Sequence, residues 1–397
     1  PIIEFDVKSL KIFAYPAEEY LNGLSERTRE EAKRQHRQAV SDGALQSWRM
    51  SHKIAAAGGG YAWPDLEFDS DGGSISVRSV RTPDSPREPV QYLRDLLEVV
   101  AADRFEQSID EFLDGVLARL ASEGVNEQDL LRLWGEILEE RRDPQRANWR
   151  KAEAILGAAG EEPAELMRRM EEAATEYGRR AMEEVAAHRM DEAPSHLSIL
   201  ASVESTDLPS VSVPHASELK EEIPDDVSVM LPWVRAERAA AAARRTWSIA
   251  DGPVANEKLG DIFRIDHDLI SPSEDLQDSP VTAGFRNGHS SDEFRVFLGK
   301  RHTSSRRFAL VRLIGDHLVA EADDRLLPAT DAFTARQKFQ RAFAQAFLCP
   351  FDELQEFLGA DDPTDDRIED AAVHFEVSPL LVRNTLVNKG VLDRDQL

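Results

Sequence analysis

The stretch Arg306-Arg307-Phe308-Ala309-Leu310-Val311-Arg312-Leu313-Ile314-Gly315-Asp316 sets a guanidinium and a carboxylate four residues apart. On a helix, positions i and i+4 share a face. In H-E-x-x-H hydrolases two histidines use this spacing to hold zinc, and the glutamate after the first activates the bound water. Here Arg312 takes the first ligand position, Leu313 the base position and Asp316 the second ligand position. A guanidinium stays protonated and cannot coordinate zinc, and leucine cannot accept a proton. The chemistry left is electrostatic, an Arg312–Asp316 ion pair where a metal would sit.

The same residues resemble the ImmA/IrrE metallopeptidase family, whose signature reads R-R-F-T-L-A-H-E-L-G-H. Arg306, Arg307, Phe308, Leu310 and Gly315 match it. The family's third ligand comes from E-x-x-A-N-x-F-A-x-x-L-x-x-P. The segment from Gln337 through Phe343, Ala344, Phe347, Leu348 and Cys349 to Pro350 follows that frame, with Gln337 in place of the ligand glutamate. The resemblance implies a zincin-like domain over roughly residues 232 to 392, built from an arginine- and alanine-rich first helix, a short sheet and two core helices. It also implies a degenerate site, Arg312, Leu313, Asp316 and Gln337, with no catalytic residue, metal or cofactor. Gln337 is placed to accept a hydrogen bond from Arg312. Active members of the family cut repressors or antitoxins and belong to stress, mobile-element and phage-response systems. The expected function is therefore that of a pseudo-metallopeptidase, a protein-binding or regulatory module whose partner is a repressor, toxin or defence component. Two alternatives stand beside it: a protease with an unconventional metal site at Asp316 and His317, and a DNA-binding regulator acting through residues 368–390.

That last alternative rests on Ile368–Phe375 and Pro379–Leu386, two short helical patterns around a tight turn, with Ser378 as helix cap and Pro379 in the first turn. They read as a helix-turn-helix-like pair, in which Arg383, Asn384, Asn388 and Lys389 are the candidate nucleic-acid contacts. Asp361, Asp362, Asp365, Asp366, Glu369 and Asp370 set a negative field beside them. Trp48, His52, Tyr61 and Trp63 gather around Gly58-Gly59-Gly60, either as a cluster for a planar ligand or partner peptide or as core where a helix meets a hairpin. Basic clusters lie at Arg244-Arg245, Lys300-Arg301-His302 and Arg306-Arg307; the last two flank the degenerate site and form either a local anion-binding surface or structural salt bridges. Cys349 is the one cysteine and reads as a buried, inert thiol.

The elements that must position these groups are mostly helical, in an α+β class. Residues 1–102 read as a helix over 17–57 and then a hairpin, with Leu66 and Phe68 alternating before Asp71-Gly72-Gly73 and Ile75 and Val77 after it. Residues 103–190 read as a helical bundle with stripes at Ile109–Leu120 and Leu130–Ile137, closing on one long helix over 164–187. Residues 191–230 read as a linker, partly extended and partly docked, and residues 231–397 as the peptidase-derived domain. Within it, strands are expected at 281–287 and 294–298 and helices at 232–247, 305–320 and 332–348. The net charge of −26 over 397 residues excludes a globally basic nucleic-acid binder. No apolar run reaches the roughly 20 residues that span a bilayer, and the first residues carry no basic leader before an apolar core. The expectation is a cytoplasmic protein with no membrane contact and one cysteine in a reducing interior.

Overall fold

The computed structural model describes residues 52–57, 66–79, 96–125, 128–156, 164–187, 193–223, 231–272, 278–287, 292–359 and 363–392. It is mostly helical with two small antiparallel sheets. The described residues fall into two compact units that meet in sequence between Pro163 and Ala164. Among them, no helix is long and apolar enough to cross a membrane.

In the first unit, β1 (Leu66–Ser70) and β2 (Ser74–Ser79) form the expected hairpin, with Phe68 opposite Val77 and Ser70 opposite Ile75. The Asp71 carboxylate accepts from Gly73 N at 3.0 Å and Ser74 N at 2.7 Å, which closes the turn. A third strand, β3 (Leu96–Ala101), pairs with β2 and extends the expected hairpin to three strands. Its run Leu-Leu-Glu-Val-Val-Ala carries a β-branched pair that a sheet edge accepts readily. Helices α1 (Ala102–Ser122), α2 (Gln128–Arg142) and α3 (Pro144–Leu156) follow. Phe105 of α1 meets Phe68 of β1 at 5.4 Å between ring centroids, so the sheet packs on this helix. The Arg141 guanidinium donates to Asp110 at 2.9 Å and ties α2 to α1. The helix expected over 17–57 lies outside the described residues except at its end, where Ile54–Ala57 is a 3-10 turn.

The second unit starts earlier than the expected domain boundary at 231. The long helix expected over 164–187 breaks at Gly178 into α4 (Ala164–Tyr177) and α5 (Arg179–Ala186). Gly178 has φ 101°, and a Cβ there would lie 2.4 Å from Asp324 Oδ1, so only glycine fits. The expected linker instead contains α6 (Ala193–Glu204), β4 (Ser210–Ser212) and α7 (Ala216–Glu222). Ile199, Leu200 and Val203 turn out to be helical, and the extended, docked part expected in this segment is β4. Next come α8 (Pro232–Thr246), α9 (Asn256–Phe263), α10 (His267–Ile270), β5 (Ala283–Arg286), β6 (Glu293–Phe297) and α11 (Thr303–Val319). The chain continues through β7 (Leu326–Pro328), α12 (Ala335–Leu348), α13 (Phe351–Leu358), α14 (Asp365–His374) and α15 (Pro379–Asn388).

The second sheet runs in the order β4-β6-β5-β7, all neighbours antiparallel. Beside it, α8, α11 and α12 form the core. The alanines Ala236, Ala239, Ala240 and Ala243 let α8 approach α12 closely. On α12, Phe339, Phe343 and Phe347 stack at successive i,i+4 positions, 6.1 and 5.8 Å apart. Gly315 of α11 faces that stack; a Cβ there would come within 2.5 Å of the Phe343 ring.

Candidate functional site

Helix α11 is buried almost all round, with twelve of its seventeen residues out of solvent. That is a core helix by position, yet it carries Arg306, Arg307, Arg312, Asp316 and His317. Buried charges must be hydrogen-bonded or paired, so the partners of these five define what the site can do.

Arg306 and Arg307 are structural fasteners. Arg306 donates to the carbonyls of Leu269 at 2.9 Å, Leu298 at 2.8 Å and Lys300 at 2.8 Å. Arg307, fully buried, donates to Asn256 Oδ1 at 2.6 Å, Glu376 Oε2 at 3.1 Å and the Val254 carbonyl. Arg244 likewise donates to the carbonyls of Phe347, Ala250 and Gly252. Backbone carbonyls take all three bonds of Arg306, while Arg307 also pairs with Glu376 and Arg244 with Glu353 at 3.3 Å.

The Arg312 guanidinium donates to Gln337 Oε1 at 2.7 Å and to the Thr330 carbonyl at 2.6 Å. The expected Arg312–Gln337 contact is therefore present, whereas the expected Arg312–Asp316 pair is not. Asp316, with no exposed surface, is gripped by Arg336 of α12, whose Nε and Nη2 donate to its two oxygens at 2.7 and 2.8 Å. A bidentate fork satisfies a carboxylate better than a side chain one turn along the same helix. The third donor of Arg336, Nη1, reaches Asp324 Oδ2 at 2.7 Å, and Asp324 Oδ1 accepts from Ala181 N at the start of α5. From α5, Glu184 Oε2 accepts from Thr334 Oγ1 at 2.5 Å, and the Gln337 amide nitrogen donates to the Pro328 carbonyl at 2.9 Å. Thr334 is also the cap of α12 and accepts from Gln337 N.

The electrostatics follow from burial. Arg312 is lowered to about 9, first by burial and then by the nearby Arg341, and so stays charged at neutral pH. Burial alone would lower Arg336 too, but the carboxylates of Asp316, Asp324 and Glu184 outweigh it and the net direction is upward. Burial pushes Glu184 up to about 7 against the opposing pull of Arg336. His317 is lowered to about 3 by burial and by the charges of Arg286 and Lys220. Its ring lies 5.2 Å from that of Phe294, and its Nδ1 has no partner. As the next residue along the helix it points about 100° away from Asp316, so these two are not brought into one ligand set. Among the described residues, no three His, Cys, Asp or Glu side chains converge in a way that could hold a metal ion. Leu313 at the base position has no exposed surface.

The two C-terminal cations are held by carboxylates. Arg383 donates to Asp365 at 2.8 Å and Lys389 to Glu237 at 2.7 Å. Asn384 is half-buried and Asn388 exposed at the end of α15. Ser378 caps α15 as expected, accepting from Leu381 N at 3.2 Å. In the first unit His52 is buried, while Trp48, Tyr61 and Trp63 lie outside the described residues.

Glu184, Asp324, Thr334 and Arg336 were not singled out from sequence. One signal was present: Arg336 sits in the first turn of α12, where the helix dipole disfavours a cation, so it needs a carboxylate from elsewhere. Glu184 is 150 positions from Thr334 and left no such mark.

The chain matches no protein-family model, no curated protein and no solved structure.

Proposed function

We propose that the second unit contains a domain descended from ImmA/IrrE metallopeptidases that no longer hydrolyses peptides, and that the protein works as a binding or regulatory module. A repressor, a toxin or a phage-defence component is the class of partner this descent implies. What carries the reading is Asp316, which stands at the second ligand position with both oxygens taken by Arg336. The frame of the motif supports it as well. Gly315 meets Phe343 and Arg306 and Arg307 fasten loops, so these matching residues have packing roles that outlast the reaction. At the first ligand position, Arg312 together with Gln337 replaces metal coordination by a hydrogen bond between side chains.

The test is metal content and cleavage measured on the same sample. Full-length protein expressed in zinc-supplemented medium and purified without chelator is expected to carry far less than one zinc per chain. Partners recovered from native lysate are expected to remain uncut in its presence. Zinc near one per chain, or cleavage abolished by Asp316→Ala, would overturn the reading.

A further inference from the structure

The two units differ in how they treat apolar side chains. In the first, the described residues bury Ile75 and Trp134 and leave Leu96, Val99, Phe112, Val125, Leu131 and Trp149 each more than a third exposed. Among the described residues of the second, only Val373 and Leu380 are large, apolar and exposed. Helix α1 has 21 residues and buries none of them, although Ile109, Leu113, Val116 and Leu120 line one side of it. A helix draws most of its stability from packing such a stripe, so the first unit has apolar surface still to cover.

Helix α2 stands between the other two. Its Arg141 and Trp134 bond Asp110 and Asp114 of α1 at 2.9 and 3.4 Å, and α3 packs on α2 with Arg150 reaching Glu140 at 3.3 Å. Leu131 and Gly135 are four residues apart and share a face of α2. Leu131 is 50 % exposed, and a Cβ on Gly135 would meet nothing within 4 Å. A protruding side chain thus stands one turn from an open hole. Two such helices laid antiparallel seat each knob in the other's hole, so the face is complementary to itself.

The charges beside it have the same property. On α1, Asp103, Glu106, Glu111 and Asp114 pair with no lysine or arginine among the described residues. Helix α3 carries Arg146, Arg150 and Lys151. The first two make only loose surface pairs, with Asp143 at 3.6 Å and Glu140 at 3.3 Å, and such pairs contribute little. About a two-fold axis through α2, each acidic α1 meets the basic α3 of the other copy. That local attraction allows two chains of net charge −26 to meet.

We infer that the first unit is a self-association module. In it, α2 packs antiparallel on α2 of a second copy, Leu131 of each chain rests on Gly135 of the other, and α1 faces α3 of the partner copy. This goes beyond the binding role proposed above and does not depend on it.

Sedimentation of the full-length protein is expected to give twice the 44.5 kDa of one chain at about 0.1 mM. Leu131→Asp is expected to give a monomer with unchanged circular dichroism. A wild-type monomer, or a dimer that persists in Leu131→Asp, overturns the module. Cross-linking reads the register. Antiparallel pairing brings Gln128 beside Glu139 of the partner copy and keeps each about 15 Å or more from its own counterpart. A short bis-maleimide is therefore expected to join Gln128→Cys to Glu139→Cys in a mixture and neither variant to itself, with the wild-type chain and its buried Cys349 as the blank. Variants that each join to themselves, or a mixture that does not join, overturn the arrangement. Should Leu131→Asp unfold, the cross-linking decides alone.

Discussion

Arg336 holds Asp316 through two hydrogen bonds of 2.7 and 2.8 Å and reaches Asp324 with its third nitrogen at 2.7 Å. One guanidinium therefore bridges two buried carboxylates on different segments, the end of α11 and the loop before β7. Arg336→Met strands both charges, and breaking a buried pair from one side costs about 3–5 kcal/mol. Urea denaturation of the variant should show a loss of that size. A second change, Asp316→Asn, should recover part of it, and a double-mutant cycle that showed no coupling would rule out the pairing.

Glu184 gives the stability of the second unit a pH dependence of defined sign. Burial raises it from an ordinary 4.5 to about 7 in the folded chain. The folded state therefore holds a proton that the unfolded state has lost between those values. The associated stability is present in full below about pH 4.5 and is lost as pH rises through 7, by up to about 3 kcal/mol. Asp324 is shifted upward by burial as well and slopes the same way. Compared with the wild type between pH 5 and 8, Glu184→Gln should lose stability less steeply with rising pH. Parallel urea-midpoint curves would count against the assignment.

Gly315→Ala drives a methyl group into the Phe343 ring, since its Cβ would lie 2.5 Å from that side chain. Overpacking of this kind costs about 1–3 kcal/mol. Phe343→Leu in the same chain should return some of that by opening the space, which thermal unfolding of the single and double variants can read.

Arg383 and Lys389 are engaged by Asp365 and Glu237 at the surface. Exposed pairs of this kind contribute roughly 0–1 kcal/mol, so Arg383→Ala should leave stability nearly unchanged. With net charge −26 and carboxylates on both candidate cations, the chain should bind duplex DNA weakly and without sequence preference. Anisotropy with labelled duplexes across a salt series checks this; a steep salt slope that Arg383→Ala reduces would revive the DNA-binding alternative.

Cys349 lies at the end of α12 with no exposed surface, and burial pushes its thiol up to about 12. Alkylation by iodoacetamide at neutral pH should be negligible in native protein and rapid in urea. Fast native labelling would show that α12 opens.

Local patterns in the sequence are strong where one element settles its own shape. The Asp71-Gly72-Gly73 turn, the Ser378 cap and the helices around Arg312 and Phe343 all lie close to where their patterns put them. Partners chosen across the chain are not legible in this way. Asp316 has two candidate arginines within reach, Arg312 and Arg336, and spacing along the helix favours the wrong one. The break at Gly178 is hidden because a helical pattern continues on both sides of it, and only the approach of Asp324 explains why the chain turns there. Ile199, Leu200 and Val203 pass for part of a linker because the surrounding prolines and serines mask a helical spacing. The Arg312–Gln337 contact is legible because the frame of the motif fixes both positions at once.

Strand β4 pairs Val211 with Phe294 and so closes one side of the second sheet. A truncation that begins at residue 231 would strip that strand from β6 and leave its row of amide and carbonyl groups free to template other chains. It would also remove Glu184 from the cluster around Gln337. A fragment meant to carry the second unit should begin no later than residue 164, and insolubility of a shorter one would reflect a bare sheet edge rather than an inability of the domain to fold.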